Sequence, residues 1–273
     1  MPRPPARPGP SRASPPGTRL LCPLPSSLSS MHLRGRRILV TGASSGIGRG
    51  LLPVFAAEGA RLMGTGRDGD TLAAAFDGIE DGSFVGADLT TEAGRRAVAT
   101  AVDQRFDGLD VAIHSAGALG PPATPLVEYP EETWRRVFEI NVTAVHLLHQ
   151  RLAPLMAAGA SPALIGVSST VGREGRAGWG MYSVSKFALE GWLSTLADEW
   201  DGGRVYSVNP GATRTGMRAA AAPDEDPMTL PTPADIAPLF LRLAHRDAPE
   251  PSGSVLNARD WIGHDPWAGL GSA

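Results

Sequence analysis

The sequence predicts an α/β fold, a doubly wound and mostly parallel sheet of about seven strands with helices on both faces. Three observations carry that expectation. From Arg36 onward, short apolar runs alternate with amphipathic stretches, the signature of repeated strand-helix units. The first of these runs passes directly into a glycine-rich turn and then into a helical pattern. The chain has 273 residues and no internal repeat, and single α/β domains commonly reach about 250 residues. One domain over residues 31–273 is therefore expected.

Taken in order, the strand candidates are Arg37 to Val40, Arg61 to Thr65, Phe84 to Ala87, Leu109 to His114, Ala163 to Val167, Val205 to Val208 and Ser254 to Asn257. Helical periodicity marks the stretches between them. In Glu131 to Met156, the residues Val137, Ile140, Ala144 and Leu148 recur at helical spacing; in Met181 to Trp200, Phe187, Leu189, Leu193 and Leu196 do the same. In such a sheet the ligand site lies beyond the carboxyl ends of the strands.

Residues 1–30 stand apart, with nine prolines, four arginines and no acid. They lack any pattern that could bury apolar surface. Three readings remain: a disordered or mis-assigned start with translation beginning at Met31, a transit peptide, or a signal peptide. The arginine- and serine-rich, acid-free composition suits transit, whereas the prolines would break its helix; Pro23 and Pro25 also interrupt the only apolar stretch a signal peptide could use.

The net charge of -3 supplies no basic surface of the kind nucleic acid requires. No apolar run approaches the roughly 18 residues of a membrane span, so no membrane partner is expected. Cys22 is the only cysteine, which excludes an internal disulfide framework and suits a reducing, cytoplasmic setting. Of the 25 basic residues, 24 are arginine, and the single lysine is Lys186.

The first strand runs into Thr41-Gly42-Ala43-Ser44-Ser45-Gly46-Ile47-Gly48. Glycines here permit a tight turn and close backbone approach, and the amides of Ser44, Ser45, Gly46 and Ile47 at the helix start can attract a pyrophosphate. This placement is that of a Rossmann-type dinucleotide fold. The second strand ends in Gly66-Arg67. An acid near this position selects NAD through the ribose 2′-hydroxyl, whereas an arginine accommodates a 2′-phosphate. Arg67 thus points to NADP(H), with NAD(H) as the alternative if Arg67 is an ordinary solvated arginine engaged by Asp68. Asp88-Leu89, after the third strand, is placed to meet the adenine; the competing reading is a helix cap for the stretch from Thr91.

Tyr182 and Lys186 are four residues apart on a helical stretch, so their side chains share a face. A tyrosine titrates near pH 10, and an adjacent ammonium and an oxidised nicotinamide would each bring it toward working range as a proton donor. Ser169 ends the fifth strand, where its hydroxyl can polarise a substrate carbonyl. Ser168 and Ser183 compete for that role. Asn141 places an amide on an otherwise apolar helical face and can hold a water in a relay with Lys186. No ligand cluster accompanies His114, so no metal is expected. His146 and His149 can share a helix face, where a core or surface role is expected.

Together the glycine loop Gly42 to Gly48, His114-Ser115-Ala116-Gly117, Asn141, Ser169, Tyr182-Ser-Val-Ser-Lys186 and Pro210-Gly211-Ala-Thr213-Arg-Thr215 resemble the short, single-domain branch of the short-chain dehydrogenase/reductases, over roughly residues 33–260. The resemblance implies an oxidoreductase with Tyr182 as acid/base. It implies that Lys186 binds the nicotinamide ribose and lowers the tyrosine pKa, that Ser169 positions substrate and that Asn141 holds a relay water. Ala116, Gly117, Pro210 and Gly211 belong to the cofactor-binding motifs, and Thr213 and Thr215 should contact the nicotinamide carboxamide. A homodimer or homotetramer is also implied, with the Tyr182 helix at an interface. His114-Ser115 departs from the usual Asn-Asn, which puts cofactor contacts by those two side chains in doubt. The segment from Gly172 to Gly180 and that from Thr213 to Leu243 resemble a bacterial subgroup whose physiological substrate is not established.

The leading functional expectation is hydride transfer between NADP(H) and a small carbonyl or alcohol. A catalytically retired, NADP(H)-sensing binding protein is the alternative. The segment Met217 to Pro233 is expected to cover the site as a mobile lid.

Overall fold

The computed structural model describes residues 31–271. The reading of residues 1–30 lies outside them. Seven strands form one parallel sheet in the order β3-β2-β1-β4-β5-β6-β7, with β1 at Arg37–Thr41, β2 at Arg61–Gly66, β3 at Gly82–Gly86, β4 at Val111–His114, β5 at Ala163–Val167, β6 at Arg204–Asn209 and β7 at Val255–Asn257. The strand order reverses between β1 and β4. Their carboxyl ends, at Thr41 and His114, therefore flank the crevice where such sheets bind ligands.

The helices are α1 (Gly46–Ala57), α2 (Gly69–Phe76), α3 (Glu92–Phe106), α4 (Glu131–Phe138), α5 (Ala144–Ala157), α6 (Gly180–Glu199), α7 (Gly216–Ala221) and α8 (Ala237–Ala244). Alternation along each strand sends side chains to opposite faces. Ile38, Val40, Val111, Ile113 and Ile165 meet Leu51, Leu52 and Phe55 of α1 and Phe240 and Leu243 of α8 on one face. Leu39 and Ala112 meet Val98 and Val102 of α3 and Leu148 and Leu152 of α5 on the other. Leu164 and Val205 extend that second layer onto Leu189 and Leu193 of α6. Most of these side chains are fully buried, each stabilising the fold by roughly 1.5–3 kcal/mol relative to exposure. The central strands read as near-continuous apolar runs because both of their faces are covered.

Most strand ends move by one or two residues, the fourth strand beginning at Val111 rather than Leu109, and two differences have a clear physical reason. The third strand begins at Gly82 rather than Phe84, because pairing decides it: Gly82 sits opposite Leu62 in the ladder, and a Cβ on it would lie 2.7 Å from Ile79 Cγ2. The long helix expected from Glu131 to Met156 is interrupted at Glu139–Thr143 by one π-helical turn centred on Asn141. Such single-turn bulges occur often at functional sites.

Candidate active site

The glycines of the first turn serve separate purposes. A Cβ on Gly42 would lie 2.9 Å from the Ala116 backbone, and one on Gly48 would lie 2.5 Å from the Gly42 carbonyl oxygen. Those two glycines let the turn close on β4 and let α1 pack against the turn. A Cβ on Gly46 would meet Thr215 only at ordinary contact, 3.6 Å, but Gly46 adopts φ +55, a left-handed conformation that side chains strain to reach. Thr41 Oγ1 accepts hydrogen bonds from the Ser115 and Ala116 amides, both at 3.1 Å, and so ties the exit of β4 to the glycine turn.

Ser45 precedes α1 and makes no side-chain cap, and no acid lies in the first turn. The α1 amino terminus therefore presents uncapped N–H groups and positive dipole toward the crevice, which is what an anion requires. Ile47 lines the adjoining cavity, and Ser44 Oγ occupies room left by Gly66, whose Cβ would be 2.9 Å away.

At the end of β2, Arg67 is exposed and has no hydrogen bond or ion pair among the described residues. Asp68 does not engage it. The Asp68 carboxylate instead caps α2, accepting from Thr71 N at 2.8 Å and Thr71 Oγ1 at 2.7 Å. Asp88 accepts from Thr90 N at 3.0 Å and Thr90 Oγ1 at 2.8 Å. These bonds hold its carboxyl below the usual range, with the charges of Arg67 and Arg136 adding to the effect. The cap of α3 is Thr91, not Asp88. Leu89 is buried, and its carbonyl accepts from Arg95 at 2.8 Å.

On the other wall, Tyr182 and Lys186 lie within the first two turns of α6 and are both buried. Lys186 Nζ donates to the Val167 carbonyl at 2.7 Å and stands 5.7 Å from the centre of the Tyr182 ring. Burial lowers the lysine pKa to about 8, against a raising influence from Glu190. The tyrosine pKa is raised by burial, and the neighbouring Ser169 hydroxyl opposes that rise. The lowering expected from Lys186 is thus not the dominant influence in the chain by itself.

The three serines are engaged differently. Ser169 lines the cavity with Tyr182, and its Oγ accepts from Val171 N at 3.4 Å. Ser183 Oγ instead donates to the Val171 carbonyl at 2.6 Å, and the buried Ser168 Oγ has no partner among the described residues.

Asn141 is braced on three sides. Its Oδ1 accepts from Ala118 N at 2.8 Å, and its Nδ2 donates to Ala118 O at 3.0 Å and to Ser185 Oγ at 2.8 Å. Ser185 Oγ in turn donates to the Tyr182 carbonyl at 2.7 Å. The side-chain amide thus fixes the Gly117–Ala118 loop against α6 and is already occupied. A Cβ on Gly117 would come 3.3 Å from Asn141 Oδ1 and 4.0 Å from Lys186 Nζ.

A cavity of about 210 Å³ joins the two walls, lined by Ile47, Ser168, Ser169, Tyr182, Pro210, Gly211, Thr213 and Thr215 among others. Thr213 Oγ1 donates to Pro210 O at 3.1 Å, and Thr215 Oγ1 accepts from Arg218 N at 3.2 Å to cap α7. Both hydroxyls shape the loop as well as facing the cavity. The expected lid carries α7 and a short 3-10 turn at Pro227–Thr229. Arg214 pins that turn by donating to the carbonyls of Pro227, Met228 and Leu230. Sequence reasoning missed Leu119, Arg176 and Trp179 as cavity residues, whereas Met217 and Arg218 open the segment expected to cover the site. The three missed residues come from two separate connections.

His114, at the end of β4, is fully buried with both ring nitrogens unpartnered among the described residues, and burial drives its pKa down to about 3. His149 is held at about 4 by burial and lies beside Trp192 and Trp200; His146 accepts from Trp192 Nε1 at 3.2 Å. No group of metal-ligating side chains forms among the described residues, and no helix there is long and apolar enough to cross a membrane.

The short chain dehydrogenase family profile matches residues 36–226. The chain belongs to the short-chain dehydrogenase/reductase family. An oxidoreductase of Escherichia coli K12, YciK, is 40% identical over 235 residues, covering 83% of this chain and 93% of that one. Among solved structures, a short-chain dehydrogenase from Pseudomonas syringae superposes with a TM-score of 0.81 at 42% identity, over 85% of this chain and 98% of the other. One from Shigella flexneri, solved with NADP, gives 0.80 at 40% identity over 84% and 99%. One from Escherichia coli CFT073, solved with NADPH, gives 0.79 at 39% identity over 84% and 99%. The dehydrogenase thus shares both its fold and most of its length with this group.

Proposed function

We propose that this short-chain dehydrogenase/reductase uses NADP(H) to interconvert a small carbonyl compound and its alcohol, with Tyr182 as acid/base. The observation that carries the reading is convergence. The Tyr182 phenol and the Ser169 hydroxyl line the same cavity as Ile47 and Thr215 at the glycine turn.

The residues present fit the dinucleotide. The uncapped start of α1 suits a pyrophosphate, the close approaches at Gly42 and Gly48 leave no room for side chains, and Arg67 is unengaged by Asp68. The NADP and NADPH bound by the two solved relatives support the same choice. Ala116, Gly117, Pro210, Gly211, Thr213 and Thr215 would hold the nicotinamide half, and Asp88 and Leu89 would hold the adenine. When bound, the cofactor supplies or accepts the hydride.

Ser169 donates toward the substrate oxygen and orients it against the Tyr182 phenol. Tyr182 delivers its proton to that oxygen in reduction and takes one in oxidation. Its raised pKa keeps the phenol protonated near neutral pH, the form a reductase needs. Lys186 uses one donor on Val167 O and keeps two for the cofactor ribose. Asn141 acts through its neighbours, holding the Gly117–Ala118 loop and the first turns of α6 in register. The exposed Trp134, Phe138 and Phe187 on α4 and α6 support the expected homodimer or homotetramer.

Lys186→Met tests the reading, with NADPH consumption followed across ketones, aldehydes, quinones and oxoacyl thioesters. Turnover and NADPH affinity should fall together, because one ammonium serves both. A wild-type protein that binds NADPH but reduces nothing would overturn the assignment.

A further inference from the structure

The cavity beyond Tyr182 is cationic. Arg176 and Arg218 line it, and no carboxylate does. Arg176 lies in the connection before α6 and has no hydrogen bond or ion pair from its side chain among the described residues. Arg218, on α7, is held from behind: Nε donates to Glu225 Oε2 at 2.6 Å and Nη2 to Glu225 Oε1 at 2.9 Å. That fork occupies one edge of the guanidinium, fixes its plane and leaves Nη1 without a partner. Glu225 is further neutralised by the nearby charge of Arg259. Between the two arginines the wall is apolar, formed by Leu119, Trp179 and Met217.

We infer that the substrate carries an anionic group, a carboxylate or phosphate monoester, on an apolar body. The anion sits between Arg176 and Arg218, with the carbonyl at Tyr182. This rests on the reductase reading above and specifies its substrate class. An anion between them would accept charge-assisted hydrogen bonds from the unpaired Arg176 and from the Nη1 edge of Arg218 that Glu225 leaves free. A neutral ketone would leave both guanidinium groups to water, so the site discriminates by charge rather than by size.

The test uses matched pairs with the full chain and NADPH: 4-oxopentanoate against 4-oxopentanamide, 3-benzoylpropionate against its primary amide, and dihydroxyacetone phosphate against dihydroxyacetone. The anionic member should have the higher kcat/KM, by about 10- to 100-fold in the carboxylate or the phosphate arm, which names the headgroup. Arg176→Gln and Arg218→Gln should each shrink that ratio by about tenfold. A loss affecting both members equally would be a structural effect and would overturn the proposal. So would equal kcat/KM within every pair, or variants that weaken NADPH in proportion, since the arginines would then serve a cofactor phosphate. If no carbonyl is reduced, calorimetry with the NADP-loaded protein decides. Tighter binding of 3-benzoylpropionate than of its amide would keep the anion subsite while defeating the reductase reading, and no difference, or no binding of either, would defeat the subsite as well.

Discussion

At the amino ends of the strands, charged side chains are taken up by the fold. Asp110 accepts from Arg37 Nη2 at 2.8 Å, Arg37 Nε at 3.0 Å, Arg37 N at 2.9 Å and Ala160 N at 2.8 Å, tying the starts of β1, β4 and β5 together. Arg36 and Arg204 donate to carbonyls of Ala160, Ser161, Ala244 and His245. At the carboxyl ends Glu190 and Glu225 engage Arg173 and Arg218, yet other groups stay free. Among the described residues Lys186 has donors to spare, Arg67 and Arg176 are unpaired, α1 is uncapped and Ser168 lacks a partner. Buried polar atoms without partners occur at both ends, among them Arg204 Nε and His245 Nε2 at the amino ends, but Ser168 at the carboxyl ends borders the cavity. Unfulfilled hydrogen-bonding capacity beside open space, rather than polarity itself, marks the end that binds ligands.

The sharpest way to break this comparison is Tyr182→Phe. It removes the acid without emptying the site, so turnover should fall by at least ~10²–10⁴-fold while NADPH affinity, titrated by fluorescence, stays nearly constant. Wild-type-like turnover would remove Tyr182 from the mechanism. Asp110→Ala probes the other end. It strands buried arginines and should lower unfolding stability by about 3–5 kcal/mol in urea, with the kcat of the folded fraction unchanged. A fall in kcat comparable to that of Tyr182→Phe would show that the two ends are not separable.

His114 gives a smaller, pH-dependent effect. Its folded pKa of about 3 lies below the roughly 6.5 of an unfolded histidine, so the unfolded chain binds more protons in acid. Its contribution is fully present above about pH 6.5 and is lost as pH falls toward 3, by ~1.4 kcal/mol per unit. Unfolding free energies of wild type at pH 7 and pH 5, from urea titration, should therefore differ more than those of His114→Asn, by ~2 kcal/mol. An identical pH dependence in the two proteins would mean that His114 is not held neutral. The smallest expected effect is Arg67→Ala, which should weaken NADPH by roughly tenfold and leave NADH unaffected, because only NADPH loses a phosphate contact. Equal weakening of both would move the 2′-phosphate site away from β2.

Where one physical signal dominated, the sequence was a good guide. Strand β5 was legible to the residue because its run from Ala163 to Val167 is buried on both faces. Tyr182 and Lys186 were legible because helical spacing alone brings i and i+4 together. Strand β3 was not, since Gly82 and Ser83 have little strand preference and are placed by pairing with Leu62 and Met63. The π turn at Asn141 was also hidden. The amide looked like an irregularity on an apolar face, whereas its bonds to Ala118 and Ser185 depend on a loop and a helix 23 and 44 residues away in sequence. Arg176 and Arg218 were invisible as a pair for the same reason. Their relation exists only after the sheet assembles.

Lys186 has one further consequence. It is the sole lysine in the chain, so its amine is the only ε-amino group the molecule possesses. With a pKa of about 8 and almost complete burial, that amine is readily deprotonated yet shielded. Reductive methylation with carbon-13 formaldehyde would therefore place its side-chain label at a single position, and the resulting resonance would report directly on access to the cleft beside Tyr182. In most proteins that experiment requires every other lysine to be mutated away; here the sequence has already left the spectrum empty but for the chain's own amino terminus.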